Sequence, residues 1–261
     1  MPIPERMNPT FATAEPTPAT KLGPSRLELA REKLIVALDV PDAAAAAELV
    51  ARLDGTCLWF KVGLELFTAA GPAVLEPILK RGHSVFLDLK FHDIPNTVAG
   101  AVRSAARLGV RMLNVHAAGG PAMLTAARAA LAEIPTPPQL LAVTMLTSID
   151  LAQARAIGFP APPSDQAIFL ARMSLDAGVN GFVCSAHEVE GIRAFAGPQA
   201  VLVVPGVRPA DSDLGDQRRV GTPAETLRLG ASNLVVGRPI NQASDPARAA
   251  SQILDEMAEA L

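Results

Sequence analysis

The stretch SVFLDLKFHDIPNTV carries Asp88, Lys90, His92 and Asp93 within six positions. Side chains of an extended strand alternate between its faces, so Asp88 and Lys90 point the same way, with Phe86 on their side. A carboxylate and an ammonium taken out of water must pair with each other or with a ligand. Neighbouring carboxylates favour the charged ammonium, which makes Lys90 a candidate proton donor. Lys61, in the run CLWFKVG, and Asp93 would extend the pair into an array of alternating charge. An Asp-x-Lys pair also serves as an ordinary structural ion pair, and it is the position at the end of an apolar run that favours chemistry. His92 is given no catalytic role, and His83, His116 and His187 read as structural.

A second group of residues suits an anion. The run NLVVGRPI places Gly237, which lets a ligand approach the backbone, beside Arg238, whose forked donors match phosphate. Upstream, VVPGVRPADSDLGDQRR is a long polar stretch carrying Arg208 and Gln217. Taken alone, Gly237 and Arg238 could be a turn with an exposed arginine; beside the second polar loop they imply a phosphorylated ligand. The HAAGG segment, His116 to Gly120, has the glycines of a phosphate loop, but two glycines ahead of a helix more often form a plain turn, and a turn is expected.

These residues need a scaffold that brings distant segments to one place. From Leu34 onward, eight apolar runs alternate with helix-like stretches: LIVALD (34–39), CLWFKVG (57–63), SVFLDLK (84–90), RMLNVHA (111–117), QLLAVTM (139–145), GFVCSA (181–186), VLVVPG (201–206) and NLVVGR (233–238). The intervening helices are expected after Pro41, over 72–81, 96–108, 122–132 and 165–177, after Glu188, and over 223–229. Near-continuous apolar strands are those of a parallel sheet buried on both faces, and eight of them predict a closed (β/α)8 TIM barrel, with a doubly wound open sheet as the alternative. In such a barrel the reactive groups sit at the C-terminal ends of the strands. Asp39, Lys61, Asp88, Lys90, Thr147, Ser148, Arg208, Gly237 and Arg238 all fall at or just past those ends.

Composition agrees with one large domain. Of 261 residues, 49% are hydrophobic and 19% charged, enough for a large core. A formal net charge of −3, with no basic run, argues against a nucleic-acid partner. Cys57 and Cys184 lie inside apolar runs without metal-type spacing and read as buried reduced thiols. Residues 1–25 are rich in Pro, Thr and Ala and are expected to be a disordered tail preceding a barrel domain over 26–261. No apolar stretch reaches membrane-span length, so no membrane contact and a cytoplasmic location are expected.

The ordered set IVALDV, FKVGLELF, FLDLKFHDIPNTV, NVHAAGG, MLTS, VCSAHE, PGVRP, DQRR and VVGRPI, from about Leu34 to Asp245, resembles the orotidine 5′-phosphate decarboxylase family in its bacterial form. DLKFHDIPNTV is its most specific part. The resemblance implies a homodimeric TIM barrel without metal or organic cofactor that converts orotidine 5′-monophosphate to UMP and CO₂ in pyrimidine biosynthesis. It implies that Lys90 protonates C6, that Asp88 sits against the substrate carboxylate and that Lys61 joins the charged array. Asp93, Ile94 and Thr97 would reach the neighbouring subunit's site, so that active sites are shared across the interface. Asp39 would contact the ribose, Thr147 and Ser148 the pyrimidine, and Arg208, Gln217, Gly237 and Arg238 the phosphate region, with Pro205 also touching substrate. The loop over 208–219 is expected to close over the phosphate. Val207 departs from the usual Ile, and 150–165 has no close match. Two rivals remain: a Mg²⁺-dependent sugar-phosphate lyase or decarboxylase of the same barrel group, which has an acidic residue where Lys61 stands, and a non-catalytic nucleotide-binding barrel.

Overall fold

A computed structural model describes Met1, residues 23–209 and residues 221–261. Eight parallel strands close into a barrel in sequence order: Leu34–Ala37 (β1), Trp59–Gly63 (β2), Ser84–Phe91 (β3), Met112–His116 (β4), Gln139–Val143 (β5), Gly181–Val183 (β6), Val201–Pro205 (β7) and Asn233–Val236 (β8). β1 pairs with β2 and, closing the ring, with β8. This is a TIM barrel, as expected, and the open-sheet alternative is excluded.

The period of two along each strand sorts side chains into two cores. Ile35, Phe86, Leu141, Val143, Val203 and Val235 belong to a compact inner cluster within the barrel. Their sequence neighbours, among them Val36, Phe60, Leu87, Leu140, Val204 and Leu234, join the larger layer between strands and helices. Continuing the inner parity one step toward the C-terminal mouth brings Lys61 on β2, Asp88 on β3 and Asn114 on β4, all buried. The apolar layers below therefore fix the height and direction of the polar side chains above.

Most strands end one to three residues earlier than the apolar runs predict. The run NLVVGR is strand only to Val236; Arg238–Asn241 forms a short helix instead, its Asn241 amide donating to the Ala37 carbonyl at 2.6 Å. The helix expected over 72–81 is a 3₁₀ turn, Pro72–Val74, followed by an α-helix, Leu75–Lys80. Helices at Arg26–Lys33, Leu64–Ala70, Leu151–Ala156 and Pro246–Glu259 add to those expected. Ser25 caps the first of these through a capping box with Glu28, so the folded part begins by Ser25; the rest of the expected tail, residues 2–22, lies outside the described residues. Both cysteines are buried thiols, and burial pushes the Cys57 thiol up to about 12. No helix among the described residues is long and apolar enough to cross a membrane.

Candidate active site

The third strand positions the reactive pair by a departure from regular geometry. From Leu87 to Phe91 β3 advances four residues while its partner advances only from Leu113 to Val115. Lys90 lies inside this bulge with φ of 50°, the one non-glycine residue with positive φ among those described. Bulges re-aim side chains, and a lysine in the left-handed region stores strain that the surroundings must hold in place. Asp88 and Lys90 do meet on the inner side, but the kink at Lys90, rather than plain alternation, makes the geometry.

Lys90 Nζ donates to Asp88 Oδ1 at 2.6 Å. On the other side of Asp88, Lys61 Nζ lies 3.4 Å from Oδ2 and 2.9 Å from Asp39 Oδ1. Within one chain the array is therefore Asp39, Lys61, Asp88, Lys90, alternating in sign and summing to zero. Asp39, not Asp93, forms its outer end. Burial works against the Asp88 carboxylate, but the ammoniums of Lys61 and Lys90, with hydrogen bonds from Lys90 and Asn114, outweigh it and hold the group below the ordinary carboxylate range. Burial likewise opposes the Lys61 charge, and Asp88 and Asp39 overcome it and raise that ammonium above the ordinary lysine value. Gly63 leaves the room this requires, since a Cβ there would come within 3.0 Å of Lys61 Nζ.

Two adjoining cavities open beside the array. One, of about 220 Å³, is walled by Lys61, Phe86, Asp88, Lys90, Thr147 and Ser148, with Cys184 and Val183 behind. The other, of about 370 Å³, is walled by Asp39, Lys61, Arg208, Gly237, Arg238 and Gln242. Lys61, Pro205 and Val235 border both, so the two form a continuous cleft with a charged, partly apolar half and an arginine-bearing half. Arg208 is buried, its backbone N–H donating to the Gly221 carbonyl at 3.1 Å.

Asp93, Ile94 and Thr97 do not join this cleft within the chain. They are exposed where β3 gives way to the helix Pro95–Ala106; Asp93 Oδ1 accepts from the Ile94 N–H at 2.6 Å, and Ile94 is 67% exposed. Gln217 and most of the 208–219 loop lie outside the described residues. The His116 to Gly120 segment borders neither cavity and forms the expected turn. His116 packs against His92 with ring centroids 5.4 Å apart; burial, then the adjacent His92 and Lys90, push its imidazole down to about 4.

Among the described residues of the site, Asn114, Cys184 and Gln242 are ones that a reading of the sequence misses. Asn114 left a signal, a polar residue in phase with Met112 in the middle of the strand MLNVH, which is apolar but for it and the terminal His116. Its Nδ2 donates to Asp88 Oδ1 at 2.6 Å, and its Oδ1 accepts from the Lys90 backbone N–H at 2.8 Å.

Comparison with known proteins places this cleft in context. A model of the Orotidine 5'-phosphate decarboxylase / HUMPS family matches residues 32–253. The orotidine 5′-phosphate decarboxylase of Moorella thermoacetica is 56% identical over 234 residues, covering 87% of this chain and 93% of that protein. That of Nitrosospira multiformis is 51% identical over 215 residues, covering 82% and 89%. The crystal structure of orotidine 5′-phosphate decarboxylase from Lactobacillus acidophilus superposes with a TM-score of 0.76 at 37% identity, covering 87% of this chain and 99% of that one.

Proposed function

From the premise that the chain belongs to the orotidine 5′-phosphate decarboxylase family, we propose how its cleft turns orotidine 5′-monophosphate into UMP and CO₂ in pyrimidine biosynthesis, with Lys90 as the proton donor. The observation that carries the reading is the neutral array Asp39, Lys61, Asp88, Lys90, whose last three members wall a cavity of about 220 Å³ and whose Asp39 walls the adjoining one. A substrate carboxylate set beside Asp88 adds a negative charge to a balanced site and is repelled there. When the bond from C6 to the carboxylate breaks, neutral CO₂ departs and the electron pair stays on C6. Charge has then moved from the neighbourhood of Asp88 toward the ammonium of Lys90, which stabilises it and passes a proton to C6. Lys90 regains its proton from solvent. Because Lys61 and Lys90 hold Asp88 ionised, the repulsion persists through the working pH range.

Thr147 and Ser148 meet the pyrimidine from the same cavity, Asp39 contacts the ribose, and Arg208, Gly237 and Arg238 take the phosphate, with Pro205 on the shared wall. Binding energy at the phosphate, remote from the reacting carbon, offsets the repulsion at Asp88. Arg238→Ala is accordingly expected to raise KM by roughly tenfold to a hundredfold, the range of one charge-assisted hydrogen bond, with a smaller change in kcat. Steady-state kinetics with orotidine 5′-monophosphate decide it; an unchanged KM removes Arg238 from the phosphate site. The same reading makes the enzyme a cytoplasmic homodimer in which Asp93, Ile94 and Thr97, exposed in the single chain, complete the partner's cleft. No nucleic acid or membrane takes part.

The direct test is to add purified protein to orotidine 5′-monophosphate in buffer containing EDTA and follow orotate absorbance. Turnover at an undiminished rate is expected. Absence of turnover overturns the reading, and activity that returns only with Mg²⁺ favours the sugar-phosphate branch instead.

A further inference from the structure

We infer that Asn114 is a positioning residue for the decarboxylation, one that sets the Asp88 to Lys90 geometry by bonding both partners at once; this rests on the role proposed for Lys90. The bulge in β3 takes the Lys90 backbone N–H out of register with β4, whose next paired residue is Val115 opposite Phe91. Buried backbone donors need a partner, and here the partner is a side chain: Asn114 Oδ1, 2.8 Å away. The same amide turns its Nδ2 to Asp88 Oδ1 at 2.6 Å, the oxygen that also receives Lys90 Nζ. Asn114 itself is fully buried, so it has no water to bond in place of either group.

A single planar amide therefore ties the strained lysine backbone to the carboxylate that its ammonium must face. Only a group with an acceptor and a donor on one short, rigid arm can do this. Leucine, of similar size, can do neither. Aspartate accepts from the Lys90 N–H but, when ionised, repels Asp88 in place of donating to it. Protonated aspartate restores both functions, and two buried carboxylates in contact push one of their protonations to higher pH. Asn114→Asp should thus give a kcat that rises as the pH falls.

The test compares Asn114→Leu, Asn114→Asp and Lys90→Ala with the unaltered enzyme. Asn114→Leu is expected to lower kcat by about a hundredfold, the scale of a lost hydrogen bond to a charged group, while UMP affinity stays within about threefold. Asn114→Asp is expected to be as impaired at pH 8 and to gain about tenfold in kcat as the pH is lowered toward 5.5, a rise the unaltered enzyme lacks. A merely structural asparagine gives no such pH-dependent recovery. Wild-type kcat in Asn114→Leu, or a wild-type pH profile in Asn114→Asp, overturns the inference; so does a loss carried equally by UMP affinity, which would mean general collapse of the cleft. Should Asn114→Leu not fold, the pH profile of Asn114→Asp decides alone. If Lys90→Ala is dead while both Asn114 variants behave normally, the inference about Asn114 fails and the role of Lys90 stands. Should Lys90→Ala retain turnover, the role of Lys90 fails first.

Discussion

Replacing Lys90 by alanine is expected to reduce kcat by about 10⁴-fold or more, because in the proposed mechanism one side chain supplies both the charge that stabilises C6 and the proton that quenches it, each worth roughly a hundredfold or more. Binding of UMP should change little. On the proposed reading its phosphate goes to Arg208 and Arg238, which line the other half of the cleft, and UMP has no carboxylate to set against Asp88. The fold should survive as well, since Asp88 keeps Lys61 at 3.4 Å and Asn114 at 2.6 Å. Kinetics with orotidine 5′-monophosphate, paired with calorimetric titration of UMP, separate these effects. A fall of less than about tenfold in kcat would mean that the proton comes from another group. The same measurement answers the non-catalytic alternative, because a sensor has no turnover to lose.

The second large effect is a recovery of activity. Lys90→Ala and Asp93→Ala chains, each inactive alone, are expected to regain activity when mixed under conditions that exchange subunits. Asp93 lies beyond the end of β3, exposed and outside the ion array of its own chain. If it serves the partner, a mixed dimer has one damaged cleft and one intact cleft, the latter combining Lys90 from one chain with Asp93 from the other. Random exchange of equal amounts makes half of the dimers mixed, so about a quarter of all clefts should work. Specific activity of the mixture, with exchange proven by differently tagged chains, measures this. A mixture that stays inactive despite exchange confines each cleft to a single subunit. The exposed Ile94, at 67%, and the neighbouring Thr97 supply the surface such a contact needs.

Much of the scaffold was legible because parallel strands buried on both faces must be apolar throughout, and each of the eight runs became a strand. Their ends were less clear. Leu38 is as buried as the strand before it, and its N–H still donates to the Lys61 carbonyl at 2.9 Å, so both burial and backbone bonding run a step past the strand's end at Ala37. Leu64–Ala70 escaped notice because LELFTAA prolongs the apolar run of β2 without a capping residue; Gly63 precedes it and makes no side-chain cap. Leu151–Ala156 is a single short helix whose signal, the Asp150 and Gln153 capping box, is strong only once its boundaries are known.

At the cleft, residue type and position identified Asp88, Lys90 and Lys61, but not the chain that links them. Alternation correctly put Asp88 and Lys90 on one side, although the bulge that delivers Lys90 cannot be read from SVFLDLKF. Asp39 was assigned to the ribose alone, yet its carboxylate lies 2.9 Å from Lys61 Nζ. That contact spans two strands and depends on the space left by Gly63. Asn114 passed as part of an apolar strand because its partners, at positions 88 and 90, come from another strand.

The left-handed backbone at Lys90 has an evolutionary corollary. Such a conformation costs a side-chain-bearing residue about 1 kcal/mol or more, and glycine at that place would be relieved of it. Drift toward a sturdier barrel and selection for pyrimidine supply therefore pull on this one residue in opposite directions. A descendant freed from the need for UMP would be expected to lose its lysine early and gain stability as it did so.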